Sequence, residues 1–204
     1  MKNIITSILL IFSFLANGQS IKDIQEAFEK SYTYEKQNKL NEAISQLKNI
    51  YNQESYETNL RLGWLNYQKG NLNESEKYYS IAIDILPYSE EAKLGLILPK
   101  SANAKWEDVK DLYKQILTIS PNNTVANYKL GYIYYNQRNY GYAKVLFEKV
   151  INLYPFDYDA LLMYAWSNLQ LGRFKEAKIL FNKVLMLSPN DSSALEGLAI
   201  VDKK

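Results

Sequence analysis

The sequence predicts an all-α solenoid of antiparallel helix pairs, about five of them, closed by a C-terminal capping helix. Three observations carry this. Pro87, Pro121, Pro155 and Pro189 recur every 34 residues. Proline ends a helix and drives its predecessor into extended backbone, so each one closes a unit. With these prolines at position 32 of a unit, small residues fall at position 8 (Ser31, Gly63, Gly131, Ala165) and at position 20 (Ala43, Ser75, Ala143, Ala177). Apolar residues fall at position 24 (Leu47, Tyr79, Tyr113, Phe147, Phe181) and at position 27 (Ile50, Ala82, Ile116, Val150, Val184).

Each unit then reads as helix A, a short turn and helix B. Small residues at positions 8 and 20 let the two backbones approach where they cross. Positions 24 and 27 share one face of helix B and fill the space against helix A and the next unit.

The chain opens on a different kind of segment. Residues 1–18 read as a signal peptide: Lys2, an apolar run from Ile4 to Ala16, then Ala16-Asn17-Gly18 before a cut at Gln19. The run is shorter than the ~20 apolar residues a membrane span needs. The expected address is therefore exported, periplasmic or secreted, in a bacterium, with no membrane span left after cleavage. No cysteine offers a lipidation site. Residues 19–23 are expected as a linker.

The units are expected at 24–55, 56–89, 90–123, 124–157 and 158–191. The first lacks the closing proline and is two residues short, but Tyr34, Leu40 and Ala43 fit. Gly70 and Gly172 sit between A and B, where a left-handed C-cap favours glycine, with Asn38 and Arg138 in the same place. Unit 90–123 departs most. Ile97 and Val109 replace the small pair, and Pro99 falls within helix A. A mid-helix proline costs ~3 kcal/mol, so helix A is expected to stop near Leu98. Pro99 to Ala104 would form an irregular link, and helix B would begin near Trp106. Residues 192–204 read as the capping helix, with Ser192 or Ser193 as N-cap and a stripe of Ala194, Leu195, Leu198 and Val201. The acidic pairs Glu74/Glu76 and Glu107/Asp108 fall at the starts of B helices, where they complement the helix dipole.

This pattern resembles the tetratricopeptide repeat family, in its secreted or periplasmic bacterial form. The clearest unit, 124–157, keeps Leu130-Gly131, Tyr134, Ala143, Phe147 and Pro155; unit 158–191 keeps Ala165, Gly172, Ala177, Phe181 and Pro189. The resemblance implies a right-handed superhelix with A helices lining a concave face. It also implies that positions 2, 5, 9, 12 and 13 of helix A meet a protein or peptide partner. Carried over, the non-aromatic positions are Gln25, Glu35 and Lys36 in the first unit, Glu57, Leu60 and Gln68 in the second, Glu91, Leu94, Leu98, Ser101 and Ala102 in the third, Val125 and Asn136 in the fourth, and Asp159, Leu162, Leu169 and Gln170 in the fifth. The aromatic positions are Phe28, Tyr32, Trp64, Tyr67, Tyr128, Tyr132, Tyr135 and Trp166, the expected partner-binding residues. Aromatic rings give large contact area with few rotors to freeze. Such rings at helical spacing also serve as core, so the same residues are candidates for packing between A helices. The basic residues that clamp a terminal carboxylate in chaperone-binding relatives are missing, since positions 5 and 9 of the first unit are Phe28 and Tyr32.

Composition narrows function further. There is no cysteine and no histidine, which excludes thiolate metal sites and histidine-based catalysis. A net charge of +2 gives no basic field for nucleic acid. No glycine-rich phosphate loop is present. The expected function is a non-enzymatic interaction scaffold without cofactor or metal. A glycan-binding module of the cell envelope, stacking sugars on the same rings, is the alternative. Third comes an accessory subunit of an envelope complex, by self- or hetero-assembly.

Overall fold

The computed structural model describes residues 20–204. The expected signal peptide, residues 1–18, lies outside them. Among the described residues there are eleven α-helices and no strand. They are α1 (Ile21–Lys36), α2 (Leu40–Asn49), α3 (Tyr56–Gln68), α4 (Leu72–Ile85), α5 (Glu90–Ala102), α6 (Trp106–Ile119), α7 (Thr124–Asn136), α8 (Tyr140–Leu153), α9 (Tyr158–Gln170), α10 (Phe174–Leu187) and α11 (Ser192–Val201). Odd-numbered helices up to α9 are A helices and even-numbered ones B helices; α11 caps the array. No described helix is long and apolar enough to cross a membrane.

The helix ends show why the repeat folds as it does. Each A helix starts at an N-cap whose side chain accepts the backbone N–H three residues on: Ser20, Ser55, Ser89, Asn123 and Asp157. B helices α4, α8 and α10 stop two residues before their prolines, with the residue between pushed out of the helical region. The A-to-B turn reverses through one left-handed residue per unit: Asn38, Gly70, Ala104, Arg138 and Gly172, at φ of 57°, 82°, 54°, 59° and 73°.

Three expectations are corrected here. The stretch 19–23 is not all linker, because Ser20 and Asp23 form a reciprocal capping box that starts α1 at Ile21. The N-cap of α11 is Asp191, accepting from the Ala194 N–H, and not Ser192 or Ser193. Helix α5 does not stop near Leu98; it runs through Pro99 to Ala102, the same 13 residues as the other A helices from α3 on. Pro99 is buried beside Leu96 and Ile97, so packing offsets its lost hydrogen bond. The end of α5 is also clamped. Lys100 reaches Glu76 at 3.1 Å and Asp108 at 2.7 Å, and the Asn103 side chain donates to Glu76 at 2.8 Å. Glu76 therefore ties α4 to the end of α5, beyond any dipole role.

The chain divides into two compact halves at Val109, inside α6. In the N-terminal half α1 packs on α2, α2 on α3, α3 on α4, and α5 on both α3 and α4. Its core gathers Ala43, Ile44, Leu47, Leu62, Leu65 and Tyr78. In the C-terminal half α7 packs on α8, and α9 on α7, α8, α10 and α11. Its core gathers Leu161, Leu169, Leu180, Phe181, Val184 and Val201, with Ala165, Ala177 and Ala194.

The position-24 rings Tyr79, Phe147 and Phe181 pack under glycine backbone. A Cβ on Gly63 would lie 2.8 Å from the Tyr79 ring, and one on Gly131 2.9 Å from Phe147. A second set of glycines does the same from the following A helix. Gly95 lies against the other side of Tyr79, and Gly197 against Phe181, both too close for any side chain. The small residue of the irregular unit is thus Gly95, two residues before Ile97. One ring is held between two A helices, which joins consecutive units.

Candidate partner-binding face

In the N-terminal half, α1, α3 and α5 present their open faces side by side. Position 12 of the first unit is Glu35, near the end of α1, and Arg61 of α3 lies opposite it. The Arg61 guanidinium donates to a Glu35 oxygen at 2.5 Å, and the Trp64 indole N–H donates to the other at 2.7 Å. The Tyr32 ring covers the guanidinium, its centroid 3.8 Å from the central carbon. Arg61 is only 8% exposed, so this charge is lodged in the protein and needs its partner. Burial pushes the Glu35 carboxyl up. The hydrogen bonds from Arg61 and Trp64, with the charge of Arg61, outweigh burial and hold it below its ordinary value.

Three members of this knot, Tyr32, Arg61 and Trp64, line a cavity of about 440 Å³. Phe28 and Leu60 add apolar surface, and the buried Tyr79 reaches it from α4. Glu57 and Glu91 line it as well. Tyr56 closes one side, its hydroxyl 2.7 Å from Ser89 Oγ and 3.3 Å from a Glu91 oxygen. Ser89 is the N-cap of α5, so Tyr56 fastens one A helix to the start of the next. Tyr158 makes the equivalent bond to Asp191, the N-cap of α11.

Of the expected residues, the structure brings Phe28, Tyr32 and Trp64 together around this cavity. Tyr67 stands beside Trp64, ring centroids 6.1 Å apart, but does not line it. The C-terminal half arranges its members differently. Tyr128 and Tyr132 stack at 6.5 Å, and Tyr128 also leans on the core ring Phe147 at 5.7 Å. Tyr135 packs edge-on to Tyr140 at 5.2 Å. Trp166 packs edge-on to Phe181 at 5.3 Å and donates its N–H to Ser193 Oγ at 2.9 Å. Tyr32 (48%) and Tyr132 (45%) are exposed; the other six are half-buried. Groove and core are therefore not exclusive for them, since each ring packs with one side and shows the other. Burial raises the hydroxyl pKa of Tyr128 to about 12, with Asp159 adding to it, so this phenol stays a neutral donor.

Sequence reasoning missed Arg61, Tyr56 and Tyr79. Tyr79 was read as core, which it is. Arg61 carried a usable signal: a lone charge between Leu60 and Leu62 on a helix whose neighbours are apolar. Among the described residues no group of three or more acidic side chains is placed to hold a metal ion. The arrangement offers aromatic surface, hydroxyl donors and carboxylates around a concavity, which suits recognition.

Consecutive helical hairpins, of 13 and 14 residues per helix from α3 to α10, define a tandem-repeat helical solenoid. Sequence models of the tetratricopeptide repeat match residues 56–87 and 137–199. The chain belongs to the tetratricopeptide repeat family and is a protein–protein interaction scaffold. Similar solved structures include a tetratricopeptide repeat protein from Parabacteroides merdae ATCC 43184, 23% identical, covering 88% of this chain and 72% of that one at a TM-score of 0.74. MamA is similar at 20% identity, 81% and 91% coverage and a TM-score of 0.70. MamA from Desulfovibrio magneticus RS-1, from residue 41 to its end, follows at 15% identity, 83% and 97% coverage and a TM-score of 0.69. At these identities the likeness concerns the fold. No curated protein matches the sequence.

Proposed function

We propose that this chain is an exported, non-enzymatic adaptor that holds an extended or helical segment of another protein on its A-helix face. The cavity between α1, α3 and α5 carries the reading. Three aromatic residues expected from the repeat register meet there around a volume in the range of small-ligand and side-chain pockets. Export rests on residues 1–18. It places the partner outside the cytoplasm, in the periplasm or beyond.

A photo-crosslinking amino acid at position 32, inside the cavity, compared with one at exposed position 142, tests the binding face in cells. Protein adducts formed from position 32 and not from 142 are expected. Adducts only from 142, or a glycan recovered from 32, would overturn the reading. The amino terminus of the protein recovered from the envelope is expected to be Gln19.

A further inference from the structure

We propose that the cavity of the N-terminal half receives a basic side chain, lysine or arginine, from the partner's segment. This rests on the adaptor reading and names the partner's chemistry. The one cation on the cavity wall is already neutralised, because Arg61 is bound to Glu35 at 2.5 Å and covered by Tyr32. It is not available to an incoming anion. The two other charges are Glu57 and Glu91, both exposed and both without an ion pair among the described residues. Their only side-chain contacts are long and neutral: Ser55 Oγ to Glu57 and the Tyr56 hydroxyl to Glu91, each 3.3 Å. The cavity therefore carries two uncompensated negative charges beside aromatic faces, and a cation is attracted by both.

A partner's terminal carboxylate would instead meet Glu57 and Glu91 and be repelled.

The test is selection of a random-peptide phage library on the purified protein, followed by titration of one selected peptide by calorimetry. Selected peptides are expected to share a lysine or arginine with apolar neighbours. Their affinity is expected to fall about tenfold in the Glu57→Gln/Glu91→Gln variant, which stays folded and loses only the small helix-dipole contribution of two exposed first-turn acids. Peptides sharing an acidic or purely apolar motif, with affinity untouched by the double variant and lost in Tyr32→Ala, would overturn the basic-residue proposal and leave the adaptor reading standing. Failure to select any peptide would count against both.

Discussion

Trp64 and Trp166 occupy the same place in their repeats, the ninth residue of an A helix, and are held in different ways. Trp64 donates to Glu35 on the preceding A helix and faces an open cavity. Trp166 donates to Ser193 on the capping helix α11 and lays its ring against Phe181. The N-terminal half fixes its indole with a charge pair, the C-terminal half with a hydroxyl and ring packing. A repeat position thus sets which way a side chain faces. The neighbour across the helix boundary decides whether that side chain borders a cavity or fills space.

The largest break in this comparison is Glu35→Ala. It leaves Arg61 buried without its carboxylate and removes the acceptor of Trp64. A loss of about 3 kcal/mol is expected in denaturant unfolding, because an uncompensated buried charge is the main cost. The matched change in the other half, Ser193→Ala, removes a single neutral hydrogen bond and is expected to cost about 1 kcal/mol. Near-equal losses would mean that Arg61 finds water or another acceptor. The knot would then not be what holds the cavity wall.

Acid titration separates the halves more gently. Glu35 and Glu76, both in the N-terminal half, are held below the ordinary value of 4.5: burial pushes each up, and bonds from Arg61 and Trp64, or from Lys105, Asn103 and Lys100, outweigh it. Glu148 in the C-terminal half is held down first by the Tyr164 hydroxyl and then by Lys144, against burial. A carboxyl with a depressed folded pKa contributes stability that is present above its unfolded value and lost as pH falls through the folded one. Melting temperature is therefore expected to hold at neutral pH and decline below about pH 4.5. In Glu35→Gln the decline is expected to be shallower, and the gap to the wild type to narrow toward about pH 3. A constant gap at all pH values would show that Glu35 acts through shape and not charge.

Much of this was legible from one sequence because the repeat reports itself. Prolines, the left-handed turn residues and the position-24 rings are local signals, and 34-residue recurrence makes each confirm the others. The helix pairs followed from that register, and the family resemblance put Phe28, Tyr32 and Trp64 on one face. What escaped depends on contacts between units. The Glu35–Arg61 pair spans 26 residues and two helices, and no local pattern reports it. Gly95 stands outside the expected position 8, so the sequence hid that Tyr79 is held from both sides. Locally, Pro99 shows only its helix-breaking cost. The ion-pair partners of Lys100 that help make that cost bearable, Glu76 and Asp108, lie elsewhere in the chain.

The smallest effect concerns two turn residues, one in each half, that differ by one methyl group. Ala104 and Gly172 hold the same place after their A helices, at φ of 54° and 73°. A left-handed conformation costs a residue with a Cβ roughly 1 kcal/mol, which glycine does not incur. At Gly172 a Cβ would meet nothing within 4 Å, so Gly172→Ala tests backbone conformation free of packing. It is expected to destabilise by about 1 kcal/mol. Ala104→Gly relieves the same strain but gives the unfolded chain more freedom, so a smaller gain of about 0.5 kcal/mol is expected. Opposite signs in chemical denaturation would make the turn conformation a common feature of both halves, independent of what their A helices face. If Ala104→Gly instead destabilises, the Ala104 methyl group contributes packing that outweighs its strain, and the irregular unit is supported at its turn as well as at Lys100.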